Sequence, residues 1–385
     1  MKQSVTVCAI LFCVLLFGMA VTFWLTPKKS FSAVEKRALQ TRPKPDAASV
    51  LSGAYTDRLA AFYADQFPFR TAWVGLKGRT EILLGKGENN GILLGADGRL
   101  ARRKFRMLTP SGAVGDADFI SDAQVAAACD GILRARENLS VPFVALLTGR
   151  NVDVCPSSFS YPTDFSDALN EAVQSRLQGK VTAPDLISLF RAGGEELYYR
   201  TDHHWTTAGA YLGYRTAMEA LGQASAILPP EEFRREVVTD AFYGTLWAAG
   251  GMEWVSPDAV EVWYRGNEAD FTVTADGREL DGFYSFPRME NGDGYAIFLD
   301  GTHDVVTVQK SGEKRPRLLV LRDSFGSSLA PFLVQHYDLV LLNLSSTRSD
   351  FTAVSALASE YDADAVLLVY TLENLLTADK LARLR

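Results

Sequence analysis

Asp202-His203-His204-Trp205 forms one polar segment of the chain, and Arg322-Asp323-Ser324-Phe325-Gly326 forms a second about 120 residues later. An acid, an imidazole and a hydroxyl are the parts of an activated serine nucleophile: the carboxylate orients the ring, the ring takes the hydroxyl proton, and the oxygen attacks a carbonyl carbon. In extended chain, residues i and i+2 project to the same side, so Asp202 is expected to meet His204 while His203 points away. His204 is then the base, Asp202 its orienting acid and Ser324 the nucleophile. Two blander readings compete. Asp and two His are metal-ligand types, but adjacent histidines diverge and no further ligand cluster stands at zinc spacing, so neither a metal nor another cofactor is expected. Asp323-Ser324 also reads as a plain helix cap, a common use of those residue types.

The surrounding elements must bring the two segments together. Residues 318–321, 339–342 and 365–369 are short apolar runs that read as buried strands, with helical segments at 328–336 and 351–361 between them. A helix over 122–139 followed by a strand at 141–147 repeats the pattern. Such a run implies an α/β fold with a parallel sheet, right-handed crossovers and ligand chemistry at the C-terminal ends of the strands. Ser324 falls at such an end, directly before a helix, where unpaired N–H groups and the positive dipole end favour a developing oxyanion. Phe325, Gly326 and Ser327 are the candidate donors, although Asp-Ser-Phe-Gly is not the Gly-x-Ser-x-Gly elbow of the α/β-hydrolases. The loop 148–162 suits a substrate rim and contributes Arg150; Arg322 and Trp205, inside the two signatures, are the remaining candidate substrate contacts. Asp202 and its neighbours occupy an extended turn after Leu197-Tyr198-Tyr199 and before a helix capped by Thr206 or Thr207.

With 385 residues, 47% of them hydrophobic and 22% charged, the chain has ample material for a core, and a net charge of −7 argues against nucleic acid held by bulk charge. Residues 5–25 carry no charge and as a helix reach roughly 31 Å, enough to cross a bilayer core. Residues 1–26 therefore read as a membrane anchor, with a cleaved signal as the alternative. Pro43 and Pro45 mark residues 27–53 as a linker, and 54–385 as the catalytic body. That body opens with two helices over 54–84 broken at Phe67-Pro68, then a tight turn at Asp97-Gly98 between short strands. Residues 223–314 switch to alternating strands, including 296–299, and read as a β-rich insertion whose Trp247, Trp254 and Trp263 suit either sugar stacking or a core. Cys129 and Cys155 are a possible disulfide outside the span, which itself holds Cys8 and Cys13.

The run from Thr201 to Thr206, together with that from Leu321 to Gly326, resembles the signatures of the bacterial DHHW family, related to the SGNH-hydrolase-like O-acetyltransferases of alginate export. Phe31-Ser32-Ala33-Val34-Glu35-Lys36-Arg37, Asp65-Gln66-Phe67-Pro68-Phe69-Arg70, Gly95-Ala96-Asp97-Gly98 and Tyr361-Asp362-Ala363-Asp364-Ala365-Val366 extend the resemblance over most of the chain. It implies an SGNH-hydrolase-like parallel sheet with flanking helices in permuted order, the Asp and His preceding the Ser. In that superfamily an Asp-x-His pair and a serine form a triad that moves acetyl groups onto polysaccharide hydroxyls, which maps to Asp202, His204 and Ser324. No separate Gly and Asn motifs fill the usual oxyanion roles, and no C-terminal carbohydrate-binding module is evident.

The resemblance further implies a single-pass protein of the cell membrane with its catalytic domain extracytoplasmic. The flanking charges oppose that orientation, since Lys28, Lys29, Lys36 and Arg37 outnumber Lys2. The expected activity is acetyl transfer to a cell-envelope or exported polysaccharide, with a multi-span membrane acyltransferase as donor partner. An esterase of the same fold and a catalytically silent envelope scaffold are the alternatives.

Overall fold

The computed structural model describes residues 2–102, 106–107, 119–160, 164–290, 294–343 and 353–377. Its contacts divide the chain into two compact units, residues 1–86 with 251–253, and residues 87–250 with 254–385.

In the first unit, α1 (Lys2–Leu25) contains one stretch, Val5–Leu25, long and apolar enough to cross a membrane. Near its C-terminal end Phe23 packs on Phe62 and Tyr63 of α2 (Ala54–Asp65). The expected break at Phe67-Pro68 separates α2 from α3 (Arg70–Leu83). Residues 27–53 do not behave as a free linker. Arg37 forms a two-pronged pair with Asp65, Arg70 bonds Glu35 at 2.9 Å, and the Gln66 amide donates to the carbonyls of Lys29 and Gln40. These ties join residues 29–40 to the end of α2 and the start of α3, within the first unit.

The second unit is built on a seven-stranded sheet, whose strands are numbered here in chain order: β1 (Phe143–Thr148), β2 (Phe271–Ala275), β3 (Arg278–Leu280), β4 (Val305–Lys310), β5 (Arg317–Arg322), β6 (Asp338–Asn343) and β7 (Ala365–Thr371). Their order across the sheet is β3-β2-β4-β6-β5-β7-β1. The four strands β6, β5, β7 and β1 pair in parallel, and their apolar residues are buried on both faces, which is why each reads as an unbroken hydrophobic run. Helices flank them, among them α4 (Asp122–Arg136), opened by a Ser121–Gln124 capping box, α5 (Asp164–Leu177), α6 (Leu186–Gly193) and α7 (Thr207–Ala220). In the expected helix over 351–361, Val354–Glu360 is helical and 351–352 lie outside the described residues.

The region 223–314 is only partly separate from the sheet. β2, β3 and β4 extend it by antiparallel pairing, with Val306 and Val308 turned into the core and alternate residues outward. Arg234–Phe242 and Asp258–Tyr264 form their own two-stranded ribbon. The strand expected at 296–299 is instead a 3₁₀ turn, Gly294–Ile297, with Leu299 and Asp300 at positive φ. Cys129 and Cys155 are both buried and are not joined in a disulfide. Trp263 is buried under the Arg235 guanidinium and Trp247 lies against Tyr243, both contacts of packing.

Candidate active site

The turn after β5 is built around a carboxylate. Asp323 caps the 3₁₀ turn Ser324–Leu329; its Oδ1 accepts from the Phe325 N–H at 3.0 Å. Its Oδ2 accepts from the Thr371 N–H (2.8 Å), the Thr371 hydroxyl (3.0 Å) and the Asn374 amide (2.9 Å), which ties the turn to the end of β7. Gly326 is required here because a Cβ would stand 2.7 Å from the Arg322 Cβ. The turn is thus folded tightly against its own strand, and Ser324 is left half-buried at the tip.

The Asp202 segment is a run of bends and not an extended strand. Oδ1 of Asp202 accepts from the backbone N–H of His204 (3.0 Å) and lies 2.6 Å from His204 Nδ1; Oδ2 accepts from the backbone N–H (2.7 Å) and hydroxyl (3.0 Å) of Thr245. Gly244 makes this approach possible, since a Cβ there would fall 2.4 Å from the Asp202 Cβ. Asp258 holds the same loop from behind by accepting from the N–H and hydroxyl of Thr201.

The two segments meet at His204, whose Nε2 is 2.7 Å from Ser324 Oγ. Because a carboxylate can only accept, the proton between His204 and Asp202 is assigned to Nδ1; Nε2 then carries the lone pair that receives the serine O–H. Burial alone works to raise the Asp202 carboxyl. The two imidazoles and the hydrogen bonds from His204 and Thr245 outweigh it and hold the group well below the usual carboxylate range.

His203 does not point away. The bend brings its ring to 3.9 Å from that of His204, and its Nδ1 lies 2.7 Å from Thr245 Oγ1. The Thr245 hydroxyl donates its proton to Asp202, so it accepts from a neutral His203 Nδ1–H. Burial and the adjacent His204 push His203 down to about 4, in keeping with a neutral ring. Asp202, His203 and His204 also offer ligand-type atoms within 4.8 Å of one another. Four donors already fill the Asp202 oxygens, however, so metal binding would have to displace the bonds that shape the loop.

Tyr295, which has no signal in the sequence, lies flat on His204 with ring centres 3.6 Å apart and planes 4° apart. Its hydroxyl is 3.0 Å from Ser328 Oγ, which also accepts from Trp205 Nε1 at 2.7 Å and donates to the Phe325 carbonyl. Burial raises the Tyr295 phenol, which therefore stays protonated.

Several expected contacts are occupied otherwise. The Phe325 N–H is taken by Asp323 Oδ1, and the Gly326 N–H points at the Asp323 carbonyl at 3.3 Å, so neither is open to an oxyanion. The Phe325 ring packs against His204 and Trp205 as a wedge beneath the site. Trp205 is fully buried against Phe190 and offers no surface to a substrate. The Arg150 guanidinium is buried in a two-pronged pair with Asp153, drawn there by the capping geometry of residues 151–154. Arg322 is different. It is buried, its Nη1 donates to Ser327 Oγ at 2.9 Å, and its Nε and Nη2 have no hydrogen-bond partner among the described residues. Burial draws its pKa down to about 10.

A mixed sheet whose parallel strands carry a serine after an interior strand, met by an Asp-x-His pair from earlier in the chain, is the α/β framework that comparison with known proteins identifies as SGNH-hydrolase-like. Residues 154–275 match the family profile of the SGNH hydrolase-like domain of the acetyltransferase AlgX. The probable alginate O-acetylase AlgJ of Pseudomonas syringae pv. tomato is 23% identical over 201 residues, 51% of this chain and 50% of the relative, so the chain spans about half the length of that relative. Among solved structures, a DHHW family protein from Eubacterium siraeum superposes with a TM-score of 0.58 at 17% identity, over 77% of this chain and 96% of that one. Bacillus cereus PatB1 with a sulfonyl adduct superposes with a TM-score of 0.59 at 18% identity, over 76% and 98%. The chain is thus similar to the DHHW and alginate-acetylation proteins that its motifs resemble.

Proposed function

We propose that this protein is a serine-dependent acyltransferase that moves an acetyl group onto hydroxyls of a cell-envelope or exported polysaccharide. The observation that carries the reading is the unbroken chain Asp202 Oδ1, His204 Nδ1, His204 Nε2, Ser324 Oγ, with links of 2.6 and 2.7 Å. The names of the matched relatives, an acetyltransferase domain and a probable alginate O-acetylase, supply the acyl group and the class of acceptor.

Ser324 Oγ attacks the acetyl carbonyl as its proton passes to His204 Nε2, and Asp202, ionised throughout, stabilises the imidazolium. Collapse expels the donor's leaving group, which takes the proton from His204 and leaves acetyl-Ser324. A sugar hydroxyl then gives its proton to His204 and attacks the acyl carbon; Ser324 recovers the proton as it departs. With water in place of the sugar the same cycle is an esterase. The buried guanidinium of Arg322, whose Nε and Nη2 lack hydrogen-bond partners among the described residues, is the group we assign to favour negative charge near the turn, because donors left unmatched in a buried site gain most from a transient anion.

We further propose that Val5–Leu25 anchors the protein in the cell membrane, with the second unit on the extracytoplasmic side and a multi-span membrane protein delivering acetyl groups. The test is turnover of an activated acetyl ester by the full chain, with short polysaccharide acceptors present or absent. Acetylated acceptor that disappears with Ser324→Ala is the expected result. Free acetate alone, in unchanged amount when acceptor is added, would leave the esterase reading in its place, and equal turnover by Ser324→Ala would remove both.

A further inference from the structure

The first unit carries a second apolar surface, outside the span. Trp73, Leu76 and Leu83 of α3 are 44%, 56% and 86% exposed. Three and ten residues apart, at ~100° per residue, they fall within an arc of about 80° on the helix. Lys77 and Arg79 flank that arc, one on each side, while Gly75 and Gly78 form the buried face. An apolar stripe edged by basic residues is the pattern of a helix that lies in a membrane interface. The stripe also continues into the span: Trp73, Phe67 and Tyr63 line a groove of about 600 Å³ together with Leu16 and Trp24 of α1. Aromatic rings at that level are the residues that favour the boundary between headgroups and acyl chains.

Charge points to the same occupant. Residues 27–86 hold eleven Lys and Arg against five Asp and Glu, a net of +6, whereas residues 87–385 hold 27 against 41, a net of −14. Of these two parts, only the one that carries the apolar stripe has a net positive charge. A soluble partner has no need of that coincidence, but an anionic bilayer does, because basic side chains are held near its surface while the apolar ones enter it.

We propose that α3 is an interfacial helix, seated on an anionic lipid surface beside the span through Trp73, Leu76 and Leu83. The proposal rests on the membrane reading of α1 and is independent of the Ser324 chemistry. The experiment uses the full chain in phosphatidylglycerol vesicles, with Cys8 and Cys13 changed to Ser and one environment-sensitive label at Leu76→Cys, Leu83→Cys or, as reference, Asp57→Cys. Cys129 and Cys155 are buried and remain unlabelled in the folded protein. A fourth label at Leu16→Cys reports insertion of the span separately. Brominated lipid is expected to quench the Leu76 and Leu83 labels about twofold or more beyond the Asp57 label, and less in purely zwitterionic vesicles. Quenching at Leu76 and Leu83 no greater than at Asp57, with the Leu16 label quenched, would overturn the proposal. So would labels shielded from aqueous iodide but untouched by brominated lipid, the result for a protein partner, and equal quenching in zwitterionic vesicles would overturn its anionic part.

Discussion

Asp202 and Asp323 are two buried aspartates, 1% and 2% exposed, that each accept four hydrogen bonds, yet they do different work. Three of the four donors at Asp323 come from Phe325 and Thr371 and the fourth from Asn374, so this carboxylate is consumed in pinning a turn to a neighbouring strand. One donor at Asp202 is the imidazole that faces Ser324. The acid adjacent in sequence to the serine is therefore structural, and the acid 122 positions away is the one joined to the base. Proximity along the chain does not assign the role; the identity of the donor does.

The comparison is broken most directly by substitution. Ser324→Ala and His204→Ala are expected to lower acetyl turnover by on the order of 10³-fold or more while the protein stays folded, read by initial rates alongside thermal unfolding. Asp202→Asn should come close to that loss, because a neutral amide gives the imidazolium no counter-charge and must turn its NH₂ group either to the His204 or to the Thr245 donors. Asp323→Asn should show the opposite balance: about 1–3 kcal/mol of stability lost, as an NH₂ group faces the Thr371 donors, with a much smaller loss of turnover. A large rate loss in Asp323→Asn without destabilisation would reverse the two assignments.

Arg322→Met tests a narrower point. The role we propose for Arg322 predicts a cost of roughly 10- to 100-fold in turnover with little change in KM, as for a charge that acts only while an oxyanion forms. Tyr295→Phe keeps the ring over His204 and gives up the Ser328 bond, so rates within a few-fold of the parent and about 1 kcal/mol of lost stability are expected. The smallest effect is in pH. The unfolded His203 ring takes a proton near 6.5 and the folded ring only near 4, so stability present at neutral pH declines as pH falls from about 6.5 towards 4. Replacing His203 with Gln should flatten that part of the stability–pH curve.

Much of this was legible in the sequence because strands buried on both faces announce themselves as apolar runs. β5, β6, β7 and β1 lie where the runs at 318–321, 339–342, 365–369 and 141–147 put them, and Thr206 caps α7. The antiparallel extension reads as an insertion in the sequence because alternation along β2 and β4 reveals a half-buried strand but not which sheet it joins. At the candidate site, parity pairs Asp202 with His204, but it assumed extended chain, and the observed bends put His203 alongside. Thr245, Tyr295 and Asn374 could not be found from motifs, since each reaches the site only through the tertiary fold. A dipole at a helix start does not by itself leave N–H groups open: Asp323, the capping residue, takes those of Phe325 and Gly326 with its carboxylate and its carbonyl.

The central claim, that Asp202 and His204 activate Ser324, is tested most directly by the rate at which a sulfonyl fluoride modifies the protein, followed by intact mass and peptide mapping. The account predicts one adduct, on Ser324, formed on the order of 10³-fold more slowly in Asp202→Asn and His204→Ala and at near-parent rate in folded Asp323→Asn. An adduct on another residue, or equal rates in the parent and in His204→Ala, would contradict it.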